Sequence, residues 1–486
     1  MSQTTFRKVL VANRGEIALR ILRACRDLGL PAVIAYSDAD RDSLAVRLAD
    51  EAVCVGPAAV ARSYNNIPAI ISAALVTGCD AVHPGYGFLA ENAYLAEICQ
   101  QVGVTFIGPR PDVIERMGNK SEARRLMRDA GVPLVPGTEG PVENLGEARQ
   151  AARRIGYPIV IKAVAGGGGR GMRVAEDDAQ LTRAMPLAKA EAEAAFGNGD
   201  VYLERYLQRP RHVEVQILAD HHGHVIAVGD RDCSLQRRHQ KVIEEAPAPL
   251  LPRKVREALH RTAIRGAKAA HYTNAGTLEF LMDREGHFFF MEMNTRIQVE
   301  HPVTEAITGI DLVAWQIRIA AGDRLTLDDR LGDPKGHAIE CRITAEDANA
   351  DFAPGVGMVE TYVAPGGPGV RVDSHLYAGY QVPPYYDSLL AKVITWGKDR
   401  PEAIARMDRA LRETVITGIP TTVPFLRHLI ADGAFQRGEV HTDLLRERLA
   451  SNLIKRPDPV PADDDDGRMH PATPLAGSST SHGERG

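Results

Sequence analysis

The chain has no Cys-x-x-Cys pair. Its six cysteines, Cys25, Cys54, Cys79, Cys99, Cys233 and Cys341, are scattered, which fits neither a zinc site nor a disulfide framework. Reduced thiols are expected, Cys233 included, although it lies in a polar stretch. No apolar run is long enough to span a bilayer, and Met1 to Arg14 lacks the uninterrupted apolar core of a signal peptide, so a cytoplasmic chain is expected. Neither sign of charge dominates. Lys and Arg number 58 against 63 Asp and Glu, a net charge of -5, which gives no argument for nucleic acid or a membrane as partner; any anion site must be local.

What is present is globular. At 486 residues with 44% apolar and 25% charged residues, the chain has more material than one ordinary core takes. Up to about residue 110, β-branched runs (Lys8 to Ala12, Ala32 to Tyr36, Thr105 to Ile107) alternate with stretches of helical period, such as Ile17, Ile21, Ala24 and Leu28, or Ile67, Ile70, Ile71, Ala74 and Leu75. That alternation predicts a mostly parallel sheet flanked by helices. A helical segment over Met117 to Pro133 leads to a helix near Asn144 to Ile155 and the strand Ile159 to Ala163, after which the loop Gly166 to Gly171 and a long helix from Asp177 to about Phe196 are read together as a mobile lid. From Val201 the period becomes two: His212, Glu214 and Gln216 share one strand face, as in an antiparallel sheet. After a helix over Asp311 to Ala321, a mixed segment runs to Leu449, with a strand Ala338 to Thr344 and a helix Arg400 to Glu413. The boundaries expected are 1-116, 117-330 with the lid at 131-206, 331-449, and a tail, 450-486, too poor in apolar residues to fold.

Gly166, Gly167, Gly168 and Gly169 followed by Arg170-Gly171 form a loop whose backbone N–H groups can surround phosphate oxygens, because no Cβ obstructs them. Met172 stands where a Walker A lysine belongs, which excludes a P-loop; Lys162 lies on the strand entering the loop. A flexible glycine linker or a single arginine-glycine RNA contact has the same composition. The most informative stretch is Phe288 to Pro302. Glu292, Asn294, Arg296, Gln298 and Glu300 are polar at every second position while Met291, Met293, Ile297 and Val299 are apolar, so an extended backbone puts the five polar groups on one face about 6.6 Å apart. The preceding Phe288-Phe289-Phe290 makes a plain solvated face a poor explanation, since buried charge needs partners. Glu279, inside the apolar strand Gly276 to Met282, joins Glu292 and Asn294 as a set of hard oxygen ligands suited to Mg²⁺ or Mn²⁺ on nucleotide phosphates. A structural ion-pair network can use the same carboxylates.

With Val11-Ala12-Asn13-Arg14-Gly15-Glu16-Ile17-Ala18, His83-Pro84-Gly85-Tyr86-Gly87, Asp232 to Lys241, Glu292 to Pro302 and Pro383-Pro384-Tyr385-Tyr386-Asp387-Ser388, the sequence closely resembles biotin carboxylases from about Phe6 to Leu449. The resemblance implies an α/β (α+β) ATP-grasp fold: an N-terminal parallel-sheet domain, a mobile lid and a C-terminal mixed domain. The implied activity is ATP- and bicarbonate-dependent carboxylation of biotin. Lys120 and Lys162 are then expected to neutralise phosphate charge under the Gly166 to Gly169 loop, Glu204 with the Arg205 to Leu207 backbone to read the adenine edge, and His212, Gln236 and His239 to line the nucleotide pocket. Two divalent ions are expected on Glu279 and Glu292, helped by Asn294. Lys241, Arg296, Gln298 and the Val299 backbone are expected to grip bicarbonate, Glu300 to be the general base, Arg342 to stabilise the enolate-like oxygen of biotin, and Tyr86 to contact the biotin ring.

Two departures from the family pattern touch none of these residues: Ala165 shortens the glycine run at its start, and Gly355-Val356 replace a Ser-Pro pair. No Met-Lys-Met biotinylation sequence occurs, so the resemblance implies a separate biotin carboxyl carrier protein, separate carboxyltransferase subunits and a homodimer. The first expectation is an acetyl-CoA carboxylase component of fatty acid synthesis. The biotin carboxylase component of a pyruvate or propionyl-CoA carboxylase, another ATP-grasp carboxylate or carbamoyl ligase, and a catalytically silent nucleotide-binding scaffold are the alternatives.

Overall fold

A computed structural model describes residues 6–164, 172–327 and 334–451. The expected glycine loop and all but the first two residues of the expected tail lie outside the described residues. Strands β1 (Val9–Val11), β2 (Ala32–Ser37), β3 (Glu51–Gly56), β4 (Ala81–His83) and β5 (Thr105–Phe106) form a parallel sheet in the order β3-β2-β1-β4-β5. Alternate residues of a strand face opposite ways, and β1 uses both: Val9 and Val11 pack on Ile17 and Ile21, while Leu10 packs on Ile70 and Ile71. The helices carrying those isoleucines, Gly15–Asp27 and Ile67–Val76, therefore cover opposite faces.

The segment read as one helix over Met117 to Pro133 is two, Pro111–Gly118 and Lys120–Asp129. Asn119 interrupts it because its side chain accepts from the backbone N–H groups of Ser121 and Glu122 at 3.1 and 3.2 Å, an N-cap competing with helix continuation. Lys120 consequently opens a helix.

Next comes a small antiparallel sheet with β6 (Ile159–Ala163) between β7 (Arg173–Ala175) and β8 (Val201–Arg205). Ile159 and Ile161 bury one of its faces against the helices Leu145–Ile155 and Asp178–Phe196, through Ala148, Leu181 and Met185. Lys162, one step out of that register, lies on the other face.

The largest element is an eight-stranded antiparallel sheet of β9 (Arg211–Ala219), β10 (Val225–Arg237), β11 (Gln240–Ala246), β12 (Asn274–Met282), β13 (Phe288–Asn294), β14 (His337–Thr344), β15 (Val370–Ser374) and β16 (Leu389–Gly397). The order is β13-β12-β9-β10-β11-β14-β16-β15. β11 pairs with β14, so strands on either side of position 331 share one sheet. Among the described residues no helix is long and apolar enough to cross a membrane.

Candidate active site

A cleft of about 1080 Å³ opens between the small sheet and one face of the large one. Every described residue expected to bind ligand or metal or to act in catalysis lines it except Glu300, which is fully buried just behind its wall. Lys162, Glu204, Arg205 and Leu207 line the small-sheet side; His212, Gln236 and His239 line the opposite side, with Lys120 from the helix Lys120–Asp129 and Tyr86 from the N-terminal part of the chain.

On the small-sheet side, Glu204 is already engaged. Lys162 Nζ lies 2.5 Å from one carboxylate oxygen and Arg124 Nη1 2.5 Å from the other. Across the cleft, Gln236 Nε2 sits 3.0 Å from His212 Nδ1, and His212 Nε2 lies 3.1 Å from Glu279 Oε2. Burial alone pulls the imidazole down, but the Glu279 and Glu214 carboxylates outweigh it and hold His212 up at about 9.

The period-two reading of Phe288 to Pro302 holds only in part. β13 ends at Asn294, and Glu300 is the N-cap of a helix, His301–Thr308, with φ -81° and ψ 9°, far from extended. The chain leaves the sheet because Thr295 N donates to Glu91 Oε1 at 3.0 Å, while Pro302 favours the first turn of a helix. The polar groups nevertheless converge, through a turn. Arg296 Nη1 donates to Gln298 Oε1 at 3.1 Å and Nη2 to Asn294 Oδ1 at 3.2 Å, while Nε is held by Glu91 Oε2 at 3.0 Å. Asn294 Nδ2 and Gln298 Nε2 both donate to Glu279 Oε1, at 2.9 and 3.1 Å.

The electrostatic centre is Lys241. Its ammonium, on β11, reaches Glu300 Oε1 at 2.5 Å, Glu214 Oε2 at 2.7 Å and Glu279 Oε1 at 2.9 Å, using all three of its donors. Burial pushes the Glu300 carboxyl up, but Lys241 and Arg342 outweigh it and leave Glu300 below the ordinary carboxylate range. Arg342 Nη2 donates to Glu300 Oε2 at 2.9 Å and its Nε to Glu244 Oε1 at 2.5 Å. Glu300 is thus an ionised carboxylate held by two cations that also face the cleft.

Glu279 and Glu292 are direct partners across β12 and β13, beside a register shift, with Asn294 two residues on. Burial and the Glu279 charge push Glu292 up, and Lys120 counters them. Two facing carboxylates and an amide oxygen, in a wall without a thiol ligand, fit a hard divalent cation, which would relieve the repulsion that raises Glu292.

Several important residues were not singled out from the sequence. Arg231 is fully buried and donates to Glu214 at 2.5 Å, Gln216 at 2.8 Å, Thr304 at 2.9 Å and Thr277 at 3.1 Å, aiming Glu214 at Lys241. Lys392, also fully buried, donates to the Val299 carbonyl at 2.8 Å and pairs with Glu16 at 3.1 Å, whose carboxylate accepts from the Tyr86 hydroxyl. That chain ties Tyr86 to the residue preceding Glu300. A charged residue amid apolar neighbours, as Lys392 is between Ala391 and Val393, was the available signal; its partners, 93 and 376 positions away, were not readable.

Three family models match along the chain: "Biotin carboxylase, N-terminal domain" over residues 5–114, "Carbamoyl-phosphate synthase L chain, ATP binding domain" over 119–328, and "Biotin carboxylase C-terminal domain" over 340–447. A Nostoc protein named Biotin carboxylase is 56% identical over 442 residues, covering 91% of this chain and 99% of that protein. A pyruvate carboxylase component of Methanothermobacter thermautotrophicus is 52% identical over 442 residues, covering 91% of this chain and 90% of that protein. Among solved structures, the biotin carboxylase domain dimer of Hydrogenobacter thermophilus 2-oxoglutarate carboxylase, in complex with MgADP, ADP and bicarbonate, superposes with a TM-score of 0.85 at 48% identity, covering 91% of this chain and 98% of that one.

Proposed function

Because this chain belongs to the biotin carboxylase family, whose members are ATP-dependent ligases, we propose that it carboxylates biotin carried on a separate biotin carboxyl carrier protein. The observation that carries this reading is Glu300: a buried, ionised base gripped by Lys241 and Arg342 at the edge of a cleft with a divalent-cation wall.

ATP occupies the cleft, its adenine edge near Glu204 and the Arg205 to Leu207 backbone, among His212, Gln236 and His239, with Lys120, Lys162 and the Gly166 to Gly169 loop on the phosphates. Mg²⁺ or Mn²⁺, two ions when fully loaded, would be held by Glu279 and Glu292 with Asn294 and would lower the charge repulsion at the phosphates. Bicarbonate binds between Arg296, whose fork matches two oxygens, Gln298, Lys241 and the Val299 N–H; the Val299 carbonyl is committed to Lys392. Glu300 takes the bicarbonate proton as a bicarbonate oxygen bonds to the γ-phosphorus and the bond to ADP breaks, giving carboxyphosphate. Its depressed basicity makes position rather than proton affinity its asset. Carboxyphosphate splits to CO₂ and phosphate; phosphate takes the N1 proton of biotin, Arg342 stabilises the oxygen that becomes anionic, and N1 bonds to CO₂. Tyr86, tethered through Glu16, borders the biotin position.

We place the reaction in the cytoplasm, in a homodimer assembled with carboxyltransferase subunits, as the first half-reaction of an acetyl-CoA carboxylase. The segments 1-116, 117-330 and 331-449 are proposed as its N-terminal, ATP-grasp and C-terminal domains, with 131-206 as the lid. The identity to a pyruvate carboxylase component supports pyruvate as the second acceptor. Co-purification of the native complex, with identification of its carboxyltransferase, decides between them. A partner transferring to neither acetyl-CoA nor pyruvate contradicts both.

A further inference from the structure

Behind Arg342 lie two carboxylates with no place in the reaction just described. Glu244 on β11 and Glu340 on β14 are direct register partners, so their side chains leave the sheet on the same face, and both residues are fully buried. Arg342, two residues on in β14, shares that face and binds Glu244 Oε1. Three carboxylate oxygens remain: Glu244 Oε2 and both oxygens of Glu340 are buried without a hydrogen-bond partner. Lys392, whose charge opposes the rise of Glu340, makes no hydrogen bond to it; its ammonium bonds Val299 O and Glu16, with Asp373 3.9 Å away.

Two ionised carboxylates offer only acceptors, so neither can satisfy the other, and leaving both charged and sealed from water is costly. One proton changes this, because a carboxyl O–H on either residue is a donor to the other. Resting on the role proposed for Arg342, we propose that Glu244 and Glu340 form a carboxyl–carboxylate dyad that shares one proton and acts as a positioning element, presenting a single negative charge to Arg342 at its Nε while its Nη2 is bonded to Glu300. Arg342 then lies between two single charges, Glu300 and the dyad, and keeps its outer N–H groups for the anionic biotin oxygen. A second negative charge in the dyad draws Arg342 back from the cleft.

The surroundings agree. Glu340 is faced by Glu244, Arg342, Lys392 and Glu300, and its carboxyl is pushed well up by burial, with Glu244 and Glu300 adding to it against the opposing charges of Lys392 and Arg342. Glu244 is faced by Arg342, Glu300 and Lys241, and burial with the Glu300 charge lifts it to about 7. The thiols Cys233 and Cys341 border the same groups and are both pushed up. Such dyads titrate as a unit.

The test uses the full chain and two readouts. Infrared spectroscopy at neutral pH is expected to show a protonated-carboxyl carbonyl band that Glu340→Gln removes, because the glutamine amide supplies the donor in place of the proton. In steady-state assays Glu340→Gln is expected to keep kcat for biotin carboxylation within about threefold of the parent at neutral pH while flattening its loss at alkaline pH; Glu340→Asp, which pulls the pair apart, loses more. The infrared readout needs no turnover, so it stands even if the proposed reaction fails. Absence of the band in the parent chain, or its persistence in Glu340→Gln, overturns the dyad. So does an inactive or unfolded Glu340→Gln alongside an active Glu340→Asp, which would make Glu340 an ionised partner of Lys392.

Discussion

Arg342 Nη2 lies 2.9 Å from Glu300 Oε2, so the proposed enolate stabiliser and the proposed base are hydrogen-bonded to each other. Lys241 holds the other oxygen of Glu300 at 2.5 Å, and the carboxylate is walled off from the cleft by the two cations. In the proposed reaction bicarbonate, a small planar anion, reaches the base by taking donors from it.

Glu300→Gln removes the base while keeping a side chain of similar shape. Bicarbonate-dependent ADP release is expected to fall by about 10²–10⁴-fold with the KM for ATP changed less than about threefold. Because Lys241 and Arg342 depress its titration, Glu300 remains ionised through neutral pH, and the base is lost only as pH falls below the ordinary carboxylate value of 4.5. An acid limb near neutrality that disappears in Glu300→Gln contradicts this.

Arg342→Ala acts on both halves of the reaction, since it frees one oxygen of Glu300 and leaves Glu244 without its partner. Loss in biotin carboxylation is expected to exceed loss in bicarbonate-dependent ATP cleavage by about tenfold or more, the share belonging to the anionic biotin oxygen. Equal losses in parallel assays of the two activities count against that role.

Arg231→Met tests the buried scaffold. It strips Glu214, Gln216, Thr304 and Thr277 of a shared donor in a site with no water access, and a destabilisation of about 3–5 kcal/mol is expected by chemical denaturation. A change under about 1 kcal/mol shows that the network carries little of the stability.

His212 makes stability depend on alkaline pH. Its folded-state value, about 9 against 6.5 for the free side chain, means the charged ring favours folding; that contribution is complete below 6.5 and is lost as pH rises through 9. His212→Gln is expected to flatten the fall in denaturation midpoint between pH 7 and 9, and an unchanged slope contradicts the assignment.

Much of this site was legible before the structure. Lys162 and Glu279 stand on the strands expected of them, because apolar neighbours of period two fix which way each side chain points. The stretch from Glu292 to Glu300 was legible for a different reason than its pattern suggested. Only Glu292 to Asn294 is strand; Arg296, Gln298 and Glu300 converge because Glu91 and the helix starting at His301 fold the chain back. Val303 and Ile307 at helical spacing, with Gly309 at the end, were the signal for that helix. The roles of Arg231, Glu244 and Lys392 were not legible, because each depends on partners brought together by sheet pairing rather than by spacing along the chain.

The most direct test of the whole account is ADP release by the purified chain with Mg²⁺ and ATP, with and without bicarbonate and free biotin. The account predicts slow ADP release that requires bicarbonate, acceleration by biotin with formation of carboxybiotin, and loss of both in Glu300→Gln. ATP binding with no bicarbonate-dependent turnover, or turnover that follows ammonia or an amino acid instead of biotin, contradicts it.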